Sequence, residues 1–152
     1  MKASDELRYD HEVLRAKLQS LELFCPSSHQ CACVLSRLTD SLTSCLRSHA
    51  EREERLLAAR MSRDGEPPPE CLQQLHAEHE HQRSRFAMLR ELFQSERTSE
   101  DQLVTQASCV VRDLREHLAA EERQWFPLLD GGRAGKAATA ADGEAVEILG
   151  HA

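Results

Sequence analysis

Four segments of this chain place side chains of one kind at alternating steps of three and four residues, a spacing that gathers them on one face of an α-helix. Leu7, His11, Leu14, Leu18 and Leu21 form the first stripe, and Leu35, Leu38, Leu42, Cys45, His49, Glu53 and Leu56 the second. Leu72, Leu75, His79, Gln82, Phe86, Leu89 and Phe93 form the third, and Leu103, Ala107, Val110, Leu114, His117, Glu121 and Leu128 the fourth. The stretches CPSSHQC, MSRDGEPPP and QSERTSE interrupt the period between them. Pro67 to Pro69 suit the first turn of a helix, where proline is tolerated. Ser99 followed by Gln102 reads as a capping box, and Asp130 with the two following glycines as a stop. Four helices with short connections predict an all-α, up-down-up-down four-helix bundle over residues 1–130. Residues 131–152 read as a flexible C-terminal tail, with GEAVEIL as a short helical stretch in it.

Composition narrows the function. A chain of 152 residues makes one domain large enough to bury a core, and 4% aromatic against 30% charged residues favours helices with solvated faces. A net charge of −7 argues against a duplex-binding protein, whose phosphate contacts need a basic surface, and no nucleic-acid partner is expected. No stretch approaches the roughly 18 apolar residues of a membrane span, and MKASDELRYDHEVLR does not resemble a signal peptide. The expected location is cytoplasmic, with no membrane partner, and the six cysteines are expected as reduced thiols.

The stripes carry an anomaly at comparable depth in each helix. The apolar run is interrupted by His11, by His49 and Glu53, by His79, and by His117 and Glu121. One buried histidine is ordinarily satisfied by its neighbours. Four histidines and two carboxylates on inward faces can be satisfied only by one another or by a metal. LRSHAEREER and LREHLAAEER share Leu, Arg, His, Glu, Glu and Arg at an offset of 68 residues (117 − 49), and His11 and His79 stand at the same offset. The chain therefore reads as two helix pairs, each giving one histidine from its first helix and His-x-x-x-Glu from its second. Residues four apart stack on one helix face, so imidazole and carboxylate are presented together. Imidazole with carboxylate suits iron, and two carboxylates can bridge two ions.

These elements resemble the hemerythrin-like family, also called the HHE cation-binding domain, over roughly the first 130 residues. The resemblance is carried by His11 in YDHEVLR, by His49 with Glu53 and Glu54, by His79 in AEHEH, and by His117 with Glu121 and Glu122 ahead of WFP. It implies a four-helix bundle holding a non-haem di-iron centre, two iron ions with an oxo or hydroxo bridge. His11, His49, His79 and His117 would be terminal ligands, and Glu53 and Glu121 bridging carboxylates. Glu54 and Glu122 compete for the bridging role, but five residues beyond each histidine they rotate off its face. The chain departs from the oxygen-carrying members in having Leu75 four residues before His79, where the family pattern has a histidine, and Glu121 where it has Asp. A fifth histidine ligand could come from His76 or from His29, whereas His81, about 200° round the helix from His79, should face solvent.

The loop FCPSSHQCAC gathers Cys25, His29, Cys31 and Cys33, donors that could form a zinc or redox cluster or an inert reduced loop. Cys45, one turn before His49, is a small buried filler or a neighbour of the centre. The function expected is binding or sensing of oxygen, nitric oxide or peroxide. Two alternatives are an iron-handling, iron–sulfur repair or peroxide-reducing di-iron enzyme, and a metal-free helical interaction module. No nucleophile triad or phosphate loop is visible, so the balance falls against an enzyme.

Overall fold

The computed structural model describes residues 1–132, and the stretch GEAVEIL lies outside them. The described residues contain no strand. They form α1 (Asp5–Phe24), a 3₁₀ turn (Cys25–Ser27), α2 (Ala32–Asp64), α3 (Pro69–Gln94), α4 (Glu100–Gln124) and a one-turn α5 (Phe126–Leu129). Each long helix packs on its chain neighbours and α1 also packs on α4, which closes the four into a bundle.

The helix ends follow the chemistry of the sequence. Ser99 accepts from the backbone of Gln102 while the Gln102 side chain accepts from the backbone of Ser99, completing the capping box. Pro69 opens α3, where its missing N–H would have had no intrahelical partner. Gly65 ends α2 at φ +73°, and its N–H donates to the Met61 carbonyl.

Two boundaries differ from the sequence expectation. Helix α2 runs on through Met61 to Asp64, because no proline or glycine interrupts those residues and Arg60 pairs with Asp64 one turn on, Nε to Oδ2 at 2.6 Å. The fourth stripe does not continue unbroken to Leu128. Pro127 has no N–H to offer the preceding turn, so α4 stops at Gln124 and α5 begins after Trp125.

The apolar residues form two separate clusters. The larger holds Leu14, Leu18, Leu21, Leu35, Leu42, Leu46, Phe86, Leu89, Phe93, Leu103, Val110 and Leu114. The smaller holds Leu7, Leu57, Leu75, Phe126, Leu128 and Leu129. In α1, α2 and α3 the histidines and Glu53 fall between residues of one cluster and residues of the other; in α4 the larger cluster reaches Leu118, and the smaller one begins past Glu121, in α5. Ser4 secures the small end by donating its N–H to Asp130 Oδ1 at 3.0 Å and its hydroxyl to Oδ2 at 2.6 Å.

Candidate metal centre

A buried polar layer thus crosses a bundle that is apolar above and below it. His11 and Glu53 are 0% exposed and His49 and Glu121 1%. Glu121 stands in the middle. Its Oε2 lies 2.9 Å from His11 Nε2 and 3.0 Å from His49 Nε2, and its Oε1 lies 3.0 Å from His79 Nε2 and 2.5 Å from His117 Nε2. One carboxylate therefore gives each oxygen its own pair of imidazoles. Glu53 lies beside it, with Oε2 3.2 Å from His79 Nε2 and 3.8 Å from His49 Nε2.

The outer ring nitrogens are also engaged. His11 Nδ1 meets Glu122 at 2.9 Å, and His79 Nδ1 meets Glu54 at 2.8 Å. His49 Nδ1 meets Asp10 at 3.3 Å, and His117 Nδ1 lies 3.6 Å from Glu78. Each relation in one helix pair recurs in the other at the 68-residue offset already found in the sequence, since 54 and 122, and 10 and 78, are separated by it as well. A carboxylate at Nδ1 keeps a proton there, so Nε2 is the nitrogen turned inward and the one that would bind a cation on losing its own proton. Arg15 and Arg52 in turn hold Glu122 and Asp10, each at 2.6 Å.

Electrostatics express the same crowding. Burial acts against the imidazolium of His49, but Asp10 and Glu121 outweigh it and raise its pKa to about 9. For His79 burial is likewise overcome, chiefly by Glu121 and then Glu53, and the value rises to about 10. Burial raises the Glu53 carboxyl, with repulsion from Glu121 adding to it. Glu121 is held well below the ordinary range, because four histidines overcome the effect of its burial.

The donors fit cations. Both oxygens of Glu53 and the Nε2 of His117 are buried without a hydrogen-bond partner, although Glu53 Oε2 lies 3.2 Å from His79 Nε2 and His117 Nε2 2.5 Å from Glu121 Oε1. In the metal-free cluster, protons on His49 and His79 join the rings to the carboxylates, and a cation would take the place of those protons. His11 Nε2 and His49 Nε2 are 3.2 Å apart, close to the edge of a coordination shell with bonds of about 2.1 Å. His11, His49 and Glu121 form one group able to hold an ion, and His79, His117 and Glu121 a second. Nitrogen and carboxylate donors of this kind suit iron, zinc and manganese.

All six residues singled out in the sequence come together here. His76 does not join them: its Nδ1 lies 3.1 Å from the outer carboxylate Glu54, and the side chain is 60% exposed. His29 is exposed in the turn after α1, about 20 Å of helix from the level of His11. Leu75 packs into the smaller apolar cluster. Cys45 packs against the larger cluster, and no metal-holding group includes the Cys25–Cys33 loop among the described residues. Burial raises the Cys25 thiol away from its reactive form. Asp10 and Glu78 were not singled out by the sequence reading. The shared offset of 68 was the signal that could have found them.

A family model for the hemerythrin HHE cation-binding domain matches residues 2–129, and again 71–148, the second match starting near the second helix pair. No curated protein and no solved structure matches the chain. No helix among the described residues is long and apolar enough to cross a membrane. With four helices, a central layer of histidine and glutamate, and a match over most of its length, the chain belongs to the hemerythrin HHE cation-binding domain family.

Proposed function

We propose that this chain is a cytoplasmic non-haem di-iron protein that binds or senses oxygen, nitric oxide or peroxide at two irons sharing an oxo or hydroxo bridge. The observation that carries this reading is Glu121, whose two oxygens each face a separate pair of imidazoles. His11 and His49 would hold one ion and His79 and His117 the other, with Glu121 between them and Glu53 as the second bridging carboxylate. Iron held there would supply redox activity and an open coordination position.

The chain's own residues do the rest. Glu122, Asp10 and Glu54 hold the Nδ1 protons, so the imidazoles keep their orientation and their inward lone pairs. Leu14, Leu46 and Leu114 cover the layer and limit water. The test is optical. Protein loaded with ferrous ion without oxygen should develop new visible absorption on exposure to nitric oxide, oxygen or peroxide, and a spectrum unchanged by all three contradicts the reading.

A second reading, iron handling for cluster repair or peroxide reduction, draws on one further observation. His117 borders an open groove between α3 and α4, so an ion at that half would exchange more readily than one beside His11. Transfer of iron to an apo iron–sulfur protein, or turnover of peroxide, would favour it over sensing.

A further inference from the structure

The two helix pairs repeat each other closely, so the positions where they fail to match are informative. The layer covering the histidines on the side of the larger cluster is made by Leu14, Leu46, Gln82 and Leu114. Leu46 and Leu114 correspond across the 68-residue offset, but Leu14 corresponds to Gln82. Gln82 is more than nine-tenths buried, and its Oε1 has no hydrogen-bond partner among the described residues. It stands one turn along α3 from His79, on the same face.

A second mismatch lies beside the first. Arg52, which holds Asp10 at 2.6 Å, corresponds to Ala120. The outer carboxylate of the second pair, Glu78, accordingly lacks such an arginine and lies 3.6 Å from His117 Nδ1. The space left open is a groove of about 540 Å³ between α3 and α4, lined by Ala77, Glu78, Gln82, His117 and Ala120 among others. Ala120 and Gln82 thus change one place in two ways: the first lines the groove with a methyl group where the other half has an arginine, and the second places in the same lining an amide whose Oε1 is unpaired.

We propose that this groove admits a small exogenous ligand to the His79–His117 half of the centre, and that Gln82 is a positioning residue that hydrogen-bonds it there. This rests on the centre holding metal, as proposed above. An amide can turn to present its N–H, so it suits a small ligand that accepts a hydrogen bond, such as azide or a diatomic molecule. Such a ligand would be drawn past Glu78, Asp113 and Glu116 of the groove by the charge of the metal. A leucine, the residue at the matching position 14 of the first half, would offer a ligand no hydrogen bond. At a side chain buried as deeply as Gln82 a single hydrogen bond discriminates strongly, because its loss leaves a polar group unpaired.

The probe is azide, titrated into the metal-loaded full chain while metal content is measured on the same samples. Gln82→Leu, which restores the symmetry, should keep the metal content of the wild type and bind azide roughly tenfold more weakly. Gln82→Glu, similar in shape but negative, should weaken azide at least as much. Without metal, Gln82→Leu should melt at a higher temperature than the wild type, since a buried unpaired amide oxygen has been removed. Azide affinity of Gln82→Leu within about twofold of the wild type at equal metal content overturns the proposal. So does loss of metal from Gln82→Leu, which would make Gln82 part of the centre's framework, and so does a loaded wild type that ignores azide. A wild type that takes up no metal overturns the underlying reading instead, and is recognised by metal content alone.

Discussion

Glu122 Oε1 lies 2.9 Å from Nδ1 of His11, across the interface between α4 and α1. This contact turns the inner nitrogen of His11 towards Glu121, and Arg15 fixes Glu122 in the same position. Glu122→Gln should therefore leave the bundle folded and lower metal affinity by roughly 10–100-fold, the usual cost of losing an outer partner of a ligand. Glu54→Gln, its counterpart in the other helix pair, should act alike. Competition against a chelator of known affinity measures both.

Glu121 should behave differently from either. It faces all four histidines, so Glu121→Ala removes a donor from both metal-holding groups at once. Metal uptake should fall at both positions together, whereas His11→Ala should impair one half more than the other. Metal content per chain, with circular dichroism to establish that the helices persist, separates the two outcomes.

Neither His29 nor His76 reaches the inner cluster, one being exposed in a turn and the other paired with Glu54 at the surface. His29→Ala should leave metal content unchanged. His76→Ala should do the same, with at most a small loss of affinity through the looser Glu54. A fall in stoichiometry in either variant would identify a fifth ligand.

Metal should also stabilise the fold. A cation bound only by the native bundle adds about 2.7 kcal/mol at one hundred times its Kd. The melting temperature should rise with added metal and fall back with chelator. No movement in either direction would favour a metal-free interaction module.

At the small end of the bundle, burial tends to raise the pKa of Asp130, but the hydrogen bonds from Ser4 outweigh it and the net shift is downward from 3.8. A carboxylate lowered in the folded state stabilises above its unfolded pKa, and that contribution is lost as pH falls through the folded value. Asp130→Asn should thus cost about 1 kcal/mol near neutrality. The difference from wild type should shrink below about pH 4, which urea unfolding across that range would measure.

The bundle, its capping box and its six inner donors were legible because each depends on spacing along one helix. His49 and Glu53 stack whatever their neighbours do, and the 68-residue offset relates the two halves without knowledge of how they pack. The outer carboxylates were harder to read. Asp10 adjoins His11 in sequence but serves His49, and Glu122 serves His11 from another helix, so both depend on how the helices approach each other. Glu54 and Glu122 read as rivals for the bridging role, whereas the structure places them at the outer nitrogens of His79 and His11. The meaning of Gln82 was hidden for the same reason: on the stripe it is one more member, and only packing leaves its Oε1 unpaired. The continuation of α2 to Asp64 was missed because the prolines and glycine of MSRDGEPPP drew the break too early.

The most direct test of the centre is the number of ferrous ions bound per chain, counted by anaerobic titration of metal-free protein. The account predicts about two, one for each pair of imidazoles facing Glu121. Saturation at one ion, or no uptake by a protein that remains helical, would contradict it.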